Sequence, residues 1–246
     1  MEQPIENTVF DYTDEDNSPE CARPVFAVAI DGPAGAGKST AAKNLAKRLN
    51  IVYIDTGAMY RAMGLKALRL GHDPADREAV LPMLDTTEIT LRHADGTQHI
   101  YLDGEDVSGL IRTEEVSQAA SVISTIPEVR EKLVELQRAI AAEQSVVMDG
   151  RDIGTVVLPD ARYKFYITAS AEVRAMRRYL EYEQKGKLDG RDLGGILAEI
   201  LERDDRDMNR PVAPLRPADG AVIIDTGALT IDEVTETVLS YINTGL

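Results

Sequence analysis

A short glycine-rich segment constrains this chain more than any other feature. Residues 32–40 read GPAGAGKST and fit the pattern G-x-x-x-x-G-K-[ST], directly after the apolar run 25–30. Glycines in such a loop adopt backbone angles that other residues avoid, so successive N–H groups can turn inward around an anion. The pattern predicts a loop that binds the phosphates of a nucleoside triphosphate between a strand and a helix. An ordinary glycine turn is the alternative, and the order of strand, loop and amphipathic helix argues against it.

The predicted triphosphate site consists of nine consecutive residues and one carboxylate. The loop residues are Gly32, Pro33, Ala34, Gly35, Ala36, Gly37, Lys38, Ser39 and Thr40. The ammonium group of Lys38 reaches the β- and γ-phosphates, and the hydroxyl of Ser39 can ligate Mg²⁺. Asp149 follows the apolar run 145–148, a position from which P-loop enzymes often hold the water shell of the metal. A plain turn is the competing explanation for Asp149.

Charge and cysteine content restrict the class of partner. The net charge of −15 argues against a nucleic-acid polymer or a membrane surface, because both would need a broad basic surface. A small anionic ligand needs only a local basic pocket. The single cysteine, Cys21, excludes an internal disulfide and fits a reducing compartment. Because the sequence has neither a long apolar span nor a secretory pattern, we expect a cytoplasmic protein. We also expect a monomer.

The chain divides into an acidic segment and one folded domain. Residues 1–23 carry seven acidic side chains against one arginine, which predicts a disordered extension. Across 24–246, apolar runs alternate with helical patterns, as in an α/β fold with a parallel five-stranded sheet flanked by helices. Between residues 81 and 124 the pattern changes to short strands, so we expect an inserted subdomain beside the nucleotide site.

Apolar periodicity gives the predicted elements. The strands of the main sheet cover 25–30, 51–54, 145–148, 163–167 and 221–224, and two strands of the insert cover 88–92 and 99–103, joined by a turn at 94–96. The helices cover 39–49, 58–70, 129–142, 171–183, 193–209 and 231–242. In such a sheet, ligands bind at the carboxyl ends of the strands.

Charged and polar side chains follow two of these strands. Thr56 and Arg61 come after the strand 51–54, where a helix cap and a solvated helix face would also explain them. Arg151 and Asp152 come after the strand 145–148, where a ligand crevice is expected. A turn is again the alternative for this pair.

A second charged cluster lies on the helix 193–209 and just beyond it. At about 100° per residue, Arg203, Asp207 and Arg210 share one face, with Arg206 at its edge. A ladder of surface ion pairs is the alternative. We favour a functional role, because a second anionic substrate beside the triphosphate would need such arginines. A guanine-nucleotide switch would need an N-K-x-D motif, and the sequence has none.

Five segments together resemble the bacterial cytidylate kinase family of P-loop nucleoside monophosphate kinases. They are GPAGAGKST, DTGAMYR, DGEDVSGLIRT, GRDIGTVV and ERDDRDMNRPVAPL, and the resemblance covers residues 25–242. It implies transfer of a phosphoryl group from ATP to CMP, and to dCMP, in pyrimidine nucleotide metabolism, with Mg²⁺ as cofactor. A kinase for UMP or another small acceptor remains open, as does a P-loop regulatory switch.

The resemblance also implies roles for individual residues. Ser121, Arg130 and the pair Arg151-Asp152 would surround the cytosine, with Ser121 and Asp152 accepting from its exocyclic amine and Arg151 leaning toward the phosphate. Thr56 and Arg61 would lie near the acceptor phosphate. Asp207 would hold the sugar hydroxyls, and Arg203 and Arg210 would hold sugar and phosphate. Lys38, Arg151, Arg203 and Arg210 form the implied catalytic set of cations.

A lid over ATP is the last expectation. Arg177 and Arg178 lie near the predicted end of the helix that begins at Ala171, and a flexible Lys185-Gly186-Lys187 follows. We expect the segment 177–190 to close over the nucleotide and exclude water. Interaction of the two arginines with the helix dipole is the alternative.

Overall fold

The strands of the main sheet are apolar on both faces because helices cover both sides. The computed structural model describes residues 25–94 and 97–244. The predicted acidic extension, 1–23, and Asp95-Gly96 of the predicted turn lie outside the described residues. Five strands pair in parallel in the order β2-β6-β1-β7-β8. They are β1 (Ala27–Asp31), β2 (Val52–Asp55), β6 (Val146–Gly150), β7 (Tyr163–Thr168) and β8 (Val222–Asp225).

Alternate strand residues supply two hydrophobic cores. Ala29 and Met148 face one core, which is closed by α2 (Thr56–Arg69) and α5 (Pro127–Glu143). The neighbouring strand residues, such as Val28, face the other core, which is closed by α1 (Lys38–Leu49) and α8 (Ile231–Thr244). Burial on both faces is typical of parallel sheets. The predicted fold class, a parallel five-stranded sheet flanked by helices, is confirmed.

The strands extend one or two residues further toward their carboxyl ends than the apolar runs predicted. As a result Asp31, Asp55 and Asp149 belong to the sheet, and all three are buried. Apolar runs mark where side chains pack, whereas the hydrogen-bond ladder continues into the polar residues that follow. The extra residues place three carboxylates at the carboxyl ends of the strands, where ligands are expected.

The segment between β2 and β6 contains more helix than the sequence indicated. Two helices, α3 (Arg77–Asp85) and α4 (Glu114–Ile123), occur where none was predicted. Between them, β3 (Ile89–Ala94), β4 (Thr97–Leu102) and β5 (Glu105–Asp106) form a separate antiparallel sheet.

Side chains of β3 and β4 join the small sheet to the edge of the main sheet. His93 Nε2 lies 2.9 Å from the carbonyl oxygen of Tyr53, and Gln98 Oε1 accepts from the amide of Asp55 at 2.8 Å. Helix α4 also packs closely on α2, since a Cβ at Gly64 would lie 2.9 Å from the amide nitrogen of Ala120. The inserted elements therefore pack against β2 and α2.

Two helices form a small lobe beside the sheet. Helices α6 (Ala171–Gln184) and α7 (Leu193–Asn209) pack together through Ala175, Ile196 and Ile200. Within residues 25–94 and 97–244, no helix is long and apolar enough to cross a membrane.

Candidate active site

The glycine-rich loop joins β1 to α1 and curls back over the start of the helix. Gly32 has φ +144°, and a Cβ there would lie 1.9 Å from the carbonyl oxygen of Ile167. Gly35 and Gly37 also have positive φ. The Lys38 ammonium group folds over the loop and donates to the carbonyl of Pro33 at 2.7 Å. The loop geometry requires glycine because no side chain fits at Gly32 and the other two conformations favour glycine.

Lys38 lies in an environment that disfavours its charge. Burial lowers the pKa of Lys38, and the guanidinium group of Arg151 lowers it further, against the opposing effect of Asp149 and Asp31. A bound phosphate would place a negative charge beside this ammonium group and would raise its pKa again. The position of Lys38 therefore suits an anionic ligand.

One cavity of about 250 Å³ opens beside the loop and contains the predicted acceptor residues. All nine predicted substrate-binding residues line it, together with Asp149, Arg178 and four residues of the loop. The nine are Thr56, Arg61, Ser121, Arg130, Arg151, Asp152, Arg203, Asp207 and Arg210. Seven lysine and arginine side chains face four carboxylates around this cavity. A chain that is strongly acidic overall thus concentrates positive charge in one place.

Asp152 forms the centre of one ion-pair cluster. Its carboxylate is paired with the guanidinium group of Arg130, and Arg210 Nη2 lies 3.6 Å from Asp152 Oδ1. Arg130 also donates to the carbonyl of Ser124 at 3.2 Å and lies 5.6 Å from the centre of the Tyr60 ring. All three charged groups are buried. The cluster is therefore rigidly placed before any ligand binds.

Asp207 holds a second cluster nearer the loop. Arg151 Nε donates to Asp207 Oδ2 at 2.9 Å. Burial alone would raise the pKa of Asp207, but Arg151 and Arg203 outweigh it and the pKa is lowered. Burial, reinforced by Arg151, lowers the pKa of Arg203 to about 10. Since Arg203 crowds against Arg151, an anion between them would relieve repulsion.

Thr56 does not cap helix α2, although the sequence allowed it to do so. Asp55 is the residue that caps α2, because its Oδ1 accepts from the amide of Ala58 at 2.9 Å. Thr56 is already helical, and its hydroxyl donates to the carbonyl of Asp149 at 2.7 Å. The helix starts two residues earlier than predicted, because aspartate caps a helix as well as threonine does and comes first in the chain.

Asp55 also positions Arg61. Its Oδ2 accepts from Arg61 at 2.8 Å and from Arg112, of the inserted segment, at 3.1 Å. Burial raises the pKa of Asp55, but the two arginines more than compensate, so the net change is downward. Asp55 therefore remains a carboxylate and keeps both guanidinium groups at this end of the cavity.

The hydroxyl of Ser121 contacts Arg206, which the sequence placed at the edge of the charged face of the helix 193–209. Arg206 Nη1 donates to Ser121 Oγ at 2.8 Å, while Nη2 donates to Glu202 at 2.6 Å. The contact connects α7 with α4. A helical wheel could not assign it, because the partner lies 85 residues away in the chain.

The two predicted lid arginines point to different places. Helix α6 runs from Ala171 to Gln184, close to the predicted bounds, so both arginines lie in its middle, before the last turn, where the helix dipole does not explain them. Arg178 lines the cavity, whereas Arg177 donates to the carbonyl and the hydroxyl of Thr226 at 2.6 and 3.0 Å. Arg177 is thus occupied in joining α6 to the end of β8.

Sequence reasoning missed Arg174, one turn before Arg178. Its guanidinium group donates to the carbonyl of Ala34 in the loop at 3.2 Å and to both carboxylate oxygens of Asp204, at 3.1 and 2.5 Å. The sequence could have indicated Arg174, because it lies four residues before Arg178 and residues four apart share a helix face. Tyr60 and Arg112 were also missed, because neither belongs to a recognisable charged pattern.

A loop shaped for phosphates and a cation-lined cavity that opens onto it define a phosphotransferase of the P-loop class. The family model described as "Cytidylate kinase" matches residues 28–244. The chain belongs to the cytidylate kinase family, and it is a kinase. The resemblance found in the sequence is thereby confirmed.

Curated relatives named "Cytidylate kinase" support this over most of the chain. The relative from Caldicellulosiruptor bescii is 52% identical over 212 residues, which cover 86% of this chain and 93% of the relative. The relative from Desulfitobacterium hafniense is 50% identical, covering 88% and 92%. The relative from Caldanaerobacter subterraneus subsp. tengcongensis is 54% identical, covering 87% and 93%.

Proposed function

We propose that this protein transfers the γ-phosphoryl group of ATP to CMP, and to dCMP, forming ADP and the cytidine diphosphate. One observation carries the proposal: the triphosphate loop and the predicted acceptor residues line the same cavity. A regulatory switch that only binds or hydrolyses a triphosphate has no use for the second set of arginines. The family of the chain supports the same reaction.

The reaction needs no catalytic base. A nucleoside monophosphate is largely dianionic at neutral pH, because the second pKa of the phosphate is about 6. One of its oxygens attacks the γ-phosphorus, a new P–O bond forms, and the bond to the β-phosphate oxygen breaks in line with it. ADP leaves with that electron pair. The main obstacle is repulsion between two polyanions.

Four cations of the cavity would reduce this repulsion. Lys38 lies over the loop, and Arg151, Arg203 and Arg210 line the acceptor side. Asp207 holds Arg151 at 2.9 Å, so this guanidinium group is oriented before the substrates arrive. Preoriented charges stabilise a transition state without reorganising during the reaction. We assign these four residues to catalysis.

The residues beside the loop fit Mg²⁺. Ser39 Oγ lies 2.7 Å from Asp149 Oδ2, so one hydroxyl and one carboxylate are adjacent at the start of α1. Mg²⁺ prefers oxygen ligands and keeps several waters, so it needs few protein ligands beside substrate phosphates. We propose that Ser39 and Asp149 hold the ion, the latter through water. When bound, the ion neutralises charge on the β- and γ-phosphates.

Asp152 would distinguish cytosine from uracil. The carboxylate of Asp152 and the hydroxyl of Ser121 would both accept hydrogen bonds from the exocyclic amine of cytosine. Uracil has a carbonyl at that position, which offers no donor. A buried acceptor facing another acceptor loses its hydrogen bond and is repelled. Arg130 would address the acceptor edge of the ring. Asp207 would hold the sugar hydroxyls, and Thr56 and Arg61 would lie near the acceptor phosphate.

We also propose that the segment 177–190 forms a lid over ATP. Arg178 already lines the cavity, and Arg174 contacts the loop carbonyl of Ala34. Closure of the segment 177–190 would keep water from the γ-phosphate. The segment 81–124 would form the monophosphate-binding subdomain, because Arg112 and Ser121 reach the cavity region from it.

The remaining expectations are part of the same proposal. ATP and CMP are the partners, without a nucleic-acid polymer or a membrane, and the protein acts as a monomer in the cytoplasm. The strongly negative net charge supports the exclusion of polymeric anions.

ADP release measured against a panel of acceptors tests the proposal. CMP and dCMP should stimulate ADP release strongly, and UMP, AMP and GMP should do so weakly. ADP release that is equally fast with no monophosphate would contradict transfer to an acceptor. A clear preference for UMP would contradict the role given to Asp152.

A further inference from the structure

The phenol of Tyr53 contacts the proposed metal carboxylate, Asp149, at the oxygen that Ser39 of the loop does not contact. Tyr53 lies on β2, the strand beside β6, which carries Asp149. Its hydroxyl donates to Asp149 Oδ1 at 2.8 Å, while Ser39 donates to Oδ2 at 2.7 Å. Each oxygen of this carboxylate therefore has its own protein donor.

We propose that Tyr53 is a positioning residue that orients the Asp149 carboxylate toward the magnesium site. The inference rests on the proposed function, because it assumes that Asp149 serves the metal. Each carboxylate oxygen has two lone pairs, so one hydrogen bond to each leaves further lone pairs for metal-bound water. The Ser39 hydroxyl likewise keeps lone pairs for the ion while its proton binds Asp149. Two donors fix the plane of the carboxylate, which a single donor would leave free to rotate.

Tyr53 can act only as a donor toward Asp149. An ionised carboxylate only accepts hydrogen bonds, so the phenol hydroxyl must donate in this contact. The only hydrogen bonds that the Asp149 carboxylate accepts from described residues come from Tyr53 and Ser39. Loss of the phenol hydroxyl would leave one buried oxygen without a protein donor.

Neighbouring elements hold Tyr53 in place. The ring is buried, with the Lys43 ammonium group of α1 at 5.6 Å from its centre. The Tyr53 carbonyl lies 2.9 Å from His93 Nε2, on β3 of the inserted sheet. The inserted segment is thus linked through Tyr53 to Asp149 and on to Ser39. A positioning residue must itself be rigid, and this one is held by three elements.

A buried tyrosine that merely satisfies its hydroxyl is the competing interpretation. In that case, loss of the hydroxyl would change stability and leave metal binding unchanged. Partners that orient metal ligands differ in this respect, since their loss typically lowers metal affinity or activity by about 10- to 100-fold. Metal affinity therefore separates the two interpretations.

The test compares Tyr53→Phe with Tyr163→Phe in the full chain. Tyr163 is also a buried tyrosine of the main sheet, and its hydroxyl donates to a backbone carbonyl, that of Ile242, at 3.3 Å. Binding of Mn²⁺ to the protein–ADP complex is followed by electron paramagnetic resonance, and the Mg²⁺ concentration for half-maximal turnover is measured in parallel. Thermal unfolding checks that both variants are folded, as expected because each loses one hydroxyl and no carbon.

We expect Tyr53→Phe to weaken Mn²⁺ binding by about tenfold or more, and to raise the half-saturating Mg²⁺ concentration by a similar factor. Tyr163→Phe should match the unmodified protein in both measurements. Unchanged or tighter Mn²⁺ binding by Tyr53→Phe would overturn the inference. Mn²⁺ binding requires no acceptor, so it decides the role of Tyr53 even if no monophosphate were phosphorylated, an outcome that would instead defeat the proposed function.

Discussion

The surroundings of Lys38 lower the pKa of its ammonium group. Burial and Arg151 both act against its charge, so it is suited to binding phosphate. We predict that Lys38→Ala lowers kcat by at least about 100-fold with every acceptor, because removing one preoriented charge typically has an effect of that size. Steady-state assays at saturating ATP and CMP measure this. A loss below tenfold would show that the ammonium group does not act on the transferred phosphoryl group.

Asp152 combines buried ion pairs, which the sequence did not reveal, with the recognition role that we propose for it. It is paired with the buried Arg130 and lies near Arg210, so complete removal of the carboxylate would leave uncompensated charge. Asp152→Asn keeps an acceptor for arginine and adds a donor for the uracil carbonyl. We predict that the ratio of kcat/KM for CMP to that for UMP falls by about tenfold or more. Equal losses for both substrates would mean that Asp152 does not contact the base.

Asp31 gives a pH dependence whose sign follows from burial. Burial raises its pKa to about 6, from 3.8 for an exposed aspartate, although the amides of Gly154 and Ile153 donate to it. Its contribution to stability is therefore complete below pH 3.8 and is lost as the pH rises through about 6. The gap between the two values corresponds to roughly 3 kcal/mol.

Asp31→Asn removes this titration. We predict that the variant gains stability relative to the unmodified protein, by up to about 3 kcal/mol, between pH 4 and pH 7. Urea unfolding of both proteins across this range measures the difference. Parallel stability curves would mean that Asp31 titrates normally in the folded state.

At the scale of elements, α6 and α7 are joined by a buried ion pair. The side chains of Arg174 and Asp204 are 5% and 10% exposed, and Arg174 also reaches the loop carbonyl of Ala34. We predict that Asp204→Ala lowers the free energy of unfolding by about 3–5 kcal/mol, because it leaves a guanidinium group buried without its partner. Chemical denaturation measures this, and the KM for ATP should rise as well.

The exposed ion pair between Glu181 of α6 and Lys185, just after the end of α6, provides the control. Its side chains are more than half exposed. Glu181→Ala should change the free energy of unfolding by less than about 1 kcal/mol, since exposed pairs contribute little. Similar effects of the two substitutions would mean that burial does not determine the strength of the Arg174 pair.

Element types followed from the sequence wherever apolar periodicity was strong, as in β1, α1 and α7. Helix α4 was missed because it is short and its buried face includes the small residues Ala119, Ala120 and Ser121, which weaken the apolar periodicity. The start of α2 was misplaced because two adjacent residues, Asp55 and Thr56, can both cap a helix. The hydrogen bond from the amide of Ala58 to Asp55 Oδ1 shows that Asp55 is the cap.

At the scale of the whole molecule, the parallel sheet explains why the motifs could be assembled from the sequence. Segments that follow parallel strands meet at one edge, so residues near positions 38, 56 and 151 were expected to lie together. Contacts from the inserted elements could not be foreseen, because they depend on packing between distant segments. The approach of His93 to Tyr53 and of Arg206 to Ser121 are examples.

The concentration of positive charge in one cavity of an acidic protein leads to the central claim that donor and acceptor phosphates meet there. The most direct measurement supplies ATP labelled in the γ-phosphate together with equal concentrations of CMP and UMP, and follows the label. We predict that the label appears in CDP, with one ADP formed for each CDP. Label recovered mainly as inorganic phosphate, or in UDP, would contradict the claim.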